Sequence, residues 1–82
     1  MKWTKDENFV EFLEKFGKNL KSYRNEAGLT QENMAEKGEL EFVYKYYQEI
    51  EYGNKNITLW SIYKLCKKLK ITPQELFDFY KN

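Results

Sequence analysis

The sequence predicts an all-α fold of five helices. Apolar residues recur every three or four positions along almost the whole chain, which is the spacing of one face of a helix. Helix-capping residues and glycines interrupt this pattern where short helices would begin and end. No segment alternates apolar and polar residues as a half-buried strand does. With 82 residues, the chain is long enough for one domain with a modest core and too short for two.

The first predicted helix is long and ends before Gly28, because glycine suits the left-handed position that follows a helix. Gly17 lies inside this helix, where glycine costs about 1 kcal/mol relative to alanine, so the sequence leaves open a bend or a break there. We therefore expect one domain over residues 1–82, with an N-terminal extension over 1–15 and a core over 16–77. The apolar stripe of this helix consists of Phe9, Leu13, Phe16, Leu20, Tyr23 and Ala27.

The second predicted helix is short. Thr30 is a good N-cap residue, because its side-chain oxygen can accept a hydrogen bond from a free N–H of the first turn. The helix should cover residues 31–37, with Met34 and Ala35 facing the core. Gly38 is expected to end it and to open an enlarged turn.

The third predicted helix covers residues 44–52 and is closed by Gly53. Val43 stands at the N-cap position but has no side-chain acceptor for the first N–H groups. An earlier start, at Glu39 or Glu41, is therefore an open alternative.

The last two predicted helices begin at clear capping signals. Thr58 caps the fourth helix, and residues 72–75 combine a capping box with a proline at the first helical position of the fifth. Cys66 falls on the apolar face of the fourth helix, so we expect it in the core rather than in a reactive site. That face consists of Leu59, Ile62, Leu65, Cys66 and Leu69.

The composition excludes several classes of function. The chain has no histidine and one cysteine, which rules out disulfide frameworks, Cys/His zinc sites and nucleophile–histidine pairs. We therefore expect no enzyme activity, no metal and no cofactor. No apolar run approaches the roughly 18 residues of a membrane span, and the start of the chain is charged. A lone cysteine without a signal-like segment favours a cytoplasmic protein.

One combination of residues resembles a known family. Arg24 precedes the run Leu29-Thr30-Gln31-Glu32, Ala35 follows it, and Ile50-Glu51 stands two positions before Gly53. At this spacing the sequence resembles the lambda-repressor-like, Xre/Cro-type helix-turn-helix family over residues 16–77. The resemblance implies a transcriptional regulator that binds double-stranded DNA as a homodimer. It also implies that the third helix reads the major groove.

The resemblance further implies roles for individual residues. Gln31 matches a residue that contacts a DNA phosphate, as do Asn54 and Lys55 after the third helix. Arg24 and Glu51 match a structural ion pair between the first and third helices. The outward residues of the third helix, expected to contact bases, are Tyr44, Lys45, Gln48 and Glu49. We expect the dimer surface at the aromatic segment 77–80, together with Phe12.

A second hypothesis is a helix-turn-helix scaffold that binds another protein and has weak or no DNA affinity. Residues 30–53 carry two lysines against six glutamates, a net charge of −4. Because neutralised phosphates supply most non-specific DNA affinity, an acidic reading region opposes DNA binding. The exposed aromatic residues of the chain would suit a protein partner.

Overall fold

The computed structural model describes residues 6–35 and 43–80. These residues form five α-helices and the turns between them. No strand occurs within these two ranges, and the predicted all-α fold is confirmed. The helices are α1 (Glu7–Glu26), α2 (Gln31–Met34), α3 (Tyr44–Tyr52), α4 (Leu59–Leu69) and α5 (Pro73–Leu76). Trp3, Lys37 and the enlarged turn expected at residues 38–41 lie outside the described residues.

α1 runs unbroken through Gly17, so no break occurs there. A Cβ atom on Gly17 would lie 2.1 Å from the carbonyl oxygen of Glu51 and 3.0 Å from that of Ile50. These two carbonyls belong to α3, so the two helices cross with their backbones in direct contact. Glycine is present at residue 17 because packing leaves no room for a side chain.

Both ends of α1 follow sequence signals. The Asp6 side chain caps the N-terminus by accepting hydrogen bonds from two free backbone N–H groups. At the other end, Gly28 has φ 72° and the N–H of Leu29 donates to the carbonyl of Arg24 at 3.1 Å. This is the predicted glycine-terminated helix end. Ala27 was expected on the buried stripe but is exposed, because it is already the C-cap residue.

α2 is shorter than the sequence predicts. Thr30 caps it as expected, in a reciprocal capping box with Asn33. Helical hydrogen bonding ends at Met34, which is completely buried, and Ala35 is the C-cap residue. The helix therefore ends before Ala35, and residues 36 and 37, to which the sequence extends it, lie outside the described residues.

α3 begins at Tyr44 and ends at Tyr52, as predicted. Val43 has extended backbone angles and makes no side-chain cap, so a helix continuing from Glu39 or Glu41 is wrong. Gly53 has φ 87° and lies against α1, where an added Cβ would be 2.9 Å from the Cα of Glu14. α1 and α3 thus approach closely at both Gly17 and Gly53.

α4 and α5 directly follow Thr58 and Thr72, whose side chains cap the two helices as predicted. Leu59 was expected on the buried face of α4 but is 83% exposed, because in the first turn of this helix it is Ser61 that faces the core. Cys66 is buried, as expected. The buried apolar core consists of Phe16, Leu20, Met34, Tyr47, Ile50, Leu65, Cys66, Leu69 and Leu76.

The N-terminal half of α1 packs against the end of the chain. The ring of Phe12 lies 6.2 Å from that of Phe77, 5.3 Å from that of Phe79 and 5.5 Å from that of Tyr80. The predicted boundary at residue 15 therefore falls inside a continuous, packed helix. We call this cluster the aromatic end; it comprises Phe9, Phe12, Phe16, Phe77, Phe79 and Tyr80.

Candidate nucleic-acid interface

A buried ion pair joins α1 to α3. The guanidinium of Arg24 donates from Nε to Oε2 of Glu51 at 2.5 Å and from Nη2 to Oε1 at 3.2 Å. Its Nη1 donates to the carbonyl of Leu29 at 2.8 Å, in the turn that precedes α2. The two charged side chains are only 9% and 4% exposed. A bidentate geometry of this kind fixes both partners in one orientation.

Two further side chains donate to the same carboxylate. The Tyr47 hydroxyl donates to Oε2 of Glu51 at 2.5 Å, and Nε2 of Gln31 donates to Oε1 at 3.0 Å. Glu51 therefore accepts four hydrogen bonds, two of them from Arg24. We call Arg24, Gln31, Tyr47 and Glu51 the Glu51 network.

The Glu51 network determines the charge states of its members. Burial opposes ionisation of Glu51, but the hydrogen bonds from Arg24, Tyr47 and Gln31 outweigh it and lower the pKa of the carboxyl. Burial and the hydrogen bond to Glu51 raise the pKa of the Tyr47 phenol. The hydrogen bond to Glu51 raises the pKa of Arg24. The network therefore holds one positive and one negative charge that cancel.

α3 turns a row of side chains outward. Tyr44 is 41% exposed, and Lys45 and Gln48 are exposed, whereas Tyr47 and Ile50 on the opposite face are buried. The amide nitrogen of Gln48 lies 3.5 Å from Oε1 of Gln31, at the long end of the hydrogen-bond range. This contact extends the Glu51 network to the outward face of α3.

Glu49, a predicted base contact, and Lys55, a predicted phosphate contact, form an ion pair. Nζ of Lys55 lies 3.6 Å from Oε1 of Glu49, and both side chains are partly exposed. Asn54 is exposed, and its backbone N–H donates to the carbonyl of Glu49 at 2.9 Å, which completes the end of α3. The negative charge of Glu49 is thus partly balanced by Lys55 within the same surface.

Comparison with known proteins identifies the family of this chain. Residues 17–81 match the family model described as a helix-turn-helix domain. The chain belongs to the helix-turn-helix domain family. The resemblance to lambda-repressor-like proteins is thereby confirmed.

A solved structure similar to this helix-turn-helix protein is the restriction-modification controller protein C.AhdI from Aeromonas hydrophila. The two chains are 38% identical, with a TM-score of 0.73, and the match covers 79% of this chain and 96% of the other. No curated protein sequence matches the chain significantly. The family and this likeness support a DNA-binding regulator.

The structure reduces the acidic charge expected on residues 30–53. Glu51 is neutralised inside the fold by Arg24, and Glu49 is paired with Lys55. Lys45 is exposed, and so is Glu32 of α2. Three further glutamates and one lysine counted in the net charge of −4 lie between residues 36 and 41, outside the described residues.

A separate apolar surface lies on α4. Leu59, Trp60 and Tyr63 are 83%, 58% and 49% exposed. The rings of Trp60 and Tyr63 are stacked with centroids 5.5 Å apart, and Nζ of Lys64 lies 5.6 Å from the centre of the Trp60 ring. Phe77 and Phe79, expected in the dimer surface, are half-buried against Phe12 in the same chain, and Tyr80 of the same segment is 60% exposed.

The polar role of Tyr47 was missed in the sequence analysis. Tyr47 is completely buried, yet its hydroxyl lies on the Glu51 carboxylate. Two signals in the sequence point to this contact. A tyrosine stands where leucine or phenylalanine would fill the core as well, and Glu51 follows four residues later on the same helix face.

Neither residues 6–35 nor residues 43–80 contain a helix long and apolar enough to cross a membrane. The same residues contain no group of three or more His, Cys, Asp or Glu side chains placed to hold a metal ion.

Proposed function

We propose that this helix-turn-helix protein is a sequence-specific transcriptional regulator that reads the major groove of double-stranded DNA with α3. The observation that carries the proposal is the row of outward polar side chains on α3, held in place from behind by the buried Glu51 network. A helix fixed in this way can present hydrogen-bonding groups to base edges without first ordering its own position. The likeness to a restriction-modification controller protein supports a regulatory role.

The base contacts are assigned to Tyr44, Lys45, Gln48 and Glu49. Gln48 has the donor and acceptor that adenine requires, Lys45 suits guanine or a phosphate, and Glu49 can accept from a cytosine amine once it leaves Lys55. Tyr44 can contact the thymine methyl group with its ring.

The phosphate contacts are assigned to Gln31, Asn54 and Lys55. Gln31 uses one hydrogen of its amide group on Glu51, so the second hydrogen is available for a phosphate oxygen. Asn54 and Lys55 follow α3 directly, and both side chains reach solvent. Together these groups would fix the position of α3 along the DNA.

We further propose that the protein acts as a homodimer in the cytoplasm and controls transcription by occupying the promoter. Two copies on two half-sites raise both affinity and specificity. The exposed apolar residues Leu59, Trp60 and Tyr63 offer surface for a second copy.

The test is selection of bound duplexes from a random DNA library at near-physiological salt. We expect an enriched motif with two-fold symmetry, because each copy of a dimer would read one half-site. A folded protein that enriches no sequence would contradict the proposal. An enriched motif without symmetry would contradict the dimer alone.

A double variant tests the assigned residues. Gln31→Ala with Lys45→Glu should weaken binding to the selected duplex by at least about 100-fold, because it removes one contact and reverses the charge of another. The helical circular dichroism should not change. Lys15→Glu is the matched control, since Lys15 lies beside Phe79 and Tyr80 rather than on α3, and it should retain near-normal affinity.

The exposed apolar surface of α4 favours a second candidate function, a scaffold that binds another protein. In that case the selection would enrich no duplex. A variant with Leu59→Lys and Tyr63→Lys would then lose the protein partner, while the α3 variants would keep it.

A further inference from the structure

We infer that Tyr47 is a positioning residue for base recognition, whose buried hydroxyl orients Gln48 through Glu51 and Gln31. The inference rests on the proposed function and extends it to a residue that cannot touch DNA, because Tyr47 is completely buried. Every link in this chain of contacts is a hydrogen bond between side chains.

The first link needs the hydroxyl rather than the ring. The ring of Tyr47 fills the core as phenylalanine would, but a buried hydroxyl without a partner would cost free energy. Its hydrogen bond to Oε2 of Glu51 satisfies it. The hydroxyl also occupies an acceptor position of that oxygen, beside the bond from Nε of Arg24.

The second link is the carboxylate itself. Each oxygen of Glu51 accepts two hydrogen bonds, from Arg24 and Tyr47 on Oε2 and from Arg24 and Gln31 on Oε1. With four donors in place, the carboxylate cannot rotate about its last bond without losing partners. Without the Tyr47 hydroxyl, Oε2 loses one of its two donors. The direction in which Oε1 faces Gln31 is then less restricted.

The third link passes through a planar amide. Because the amide group of Gln31 is rigid, fixing its Nε2 on Glu51 also fixes the direction of its Oε1. That oxygen lies 3.5 Å from Nε2 of Gln48, so it selects which end of the Gln48 amide points back toward α2. The Oε1 atom of Gln48 and the second hydrogen of its amide group then face away from α2, toward solvent.

The consequence concerns one base pair in each half-site. Recognition of adenine by glutamine needs a donor and an acceptor held in one orientation. A Gln48 amide that is free to flip would accept other bases. Tyr47 therefore acts on the base preference at the position that Gln48 reads, and not on phosphate affinity as a whole.

The experiment compares Tyr47→Phe with Tyr46→Phe in the full chain. Both variants remove a phenolic hydroxyl from neighbouring positions on α3, but that of Tyr46 lies 3.5 Å from Ser61 Oγ of α4. Competitive binding to single-base variants of the selected duplex gives the preference at each position. We expect Tyr47→Phe to reduce the preference at one position per half-site by about threefold to tenfold, the effect of one hydrogen bond. Tyr46→Phe should leave every preference unchanged.

A second pair of variants separates positioning from stability. Gln31→Ala should reduce the preference at the same position, and adding Tyr47→Phe to it should have no further effect on that preference, because the link is already broken. A purely structural role would instead lower Tm and leave the preferences of Tyr47→Phe equal to those of the unmodified protein. That result would overturn the inference. Preferences that fall independently in the double variant would also overturn it.

The two proposals fail in different ways. If the unmodified protein selects no duplex, the proposed function is wrong and the inference falls with it. If it selects a motif whose base preferences are the same in Tyr47→Phe, only the inference is wrong. Should Tyr47→Phe not fold, an unchanged preference in Gln31→Ala would by itself overturn the inference.

Discussion

The Glu51 network and the aromatic end hold different parts of α1 by different forces. In the network, four side chains are joined by hydrogen bonds with defined directions, and the two charged groups are almost completely buried. At the aromatic end, six rings pack with centroids 5.2 to 6.3 Å apart at varied angles, and Tyr80 remains 60% exposed.

The difference teaches that one helix can meet two requirements. Ring packing contributes free energy in proportion to the area buried and tolerates small shifts. A network of charge-assisted hydrogen bonds contributes orientation, because small shifts break it. The part of α1 that contacts α3 therefore needs the network, whereas the part that covers the end of the chain needs only burial.

The largest effect is expected from breaking the network. Arg24→Ala leaves the carboxylate of Glu51 buried without its charge partner, which should lower the free energy of unfolding by about 3–5 kcal/mol. Urea unfolding followed by circular dichroism measures this change. Lys21→Ala is the control, because Lys21 is exposed on the same helix and its loss should change stability by less than about 0.5 kcal/mol. Equal losses in the two variants would contradict the role given to the ion pair.

An intermediate effect is expected at the aromatic end. Phe12→Ala removes a half-buried ring that contacts Phe77, Phe79 and Tyr80, so the free energy of unfolding should fall by about 2 kcal/mol. Phe12→Leu should restore most of that loss, because burial rather than ring geometry carries the contact. If leucine were as damaging as alanine, the contrast between the two regions would be wrong. The same unfolding experiment decides this.

The smallest effect is expected from removing the hydrogen bond between Tyr23 and Asp78, beside the aromatic end. The hydroxyl of Tyr23 donates to Oδ2 of Asp78 at 2.8 Å, and this hydrogen bond raises the pKa of Tyr23 to about 12. Because the pKa is raised on folding, the stabilisation is present below about pH 10 and is lost as the pH rises toward 12. Tyr23→Phe should therefore lower Tm slightly at pH 8. Its Tm should approach that of the unmodified protein at high pH, whereas a constant difference would exclude the hydrogen bond as the cause.

Most of the fold could be predicted because its signals are local. The limits of α3, the starts of α2 and α4, and the capping box of α5 follow from residues within a few positions of each helix end. The pairing of Arg24 with Glu51 was implied by the resemblance to a family rather than by local signals.

The remaining features depend on contacts between distant residues. Gly17 was interpreted as a weak point of α1, whereas the backbone of α3 requires it. The exposure of Leu59 depends on which part of α4 the other helices cover, and a local sequence pattern does not predict this. The hydrogen bond from Gln31 to Glu51 joins residues 20 positions apart, so the resemblance implied a DNA contact for Gln31 but not its contact with Glu51.

The close approach at Gly17 and Gly53 makes the position of α3 independent of its outward side chains. Neither glycine has a side chain to separate α1 from α3, so the Gly17 contact joins backbone to backbone, and at Gly53 the backbone lies against the backbone and Cγ of Glu14. A descendant of this chain that keeps both glycines keeps the position of α3. Under the proposed function, changes among the outward residues of α3 would then alter the target sequence without altering the fold.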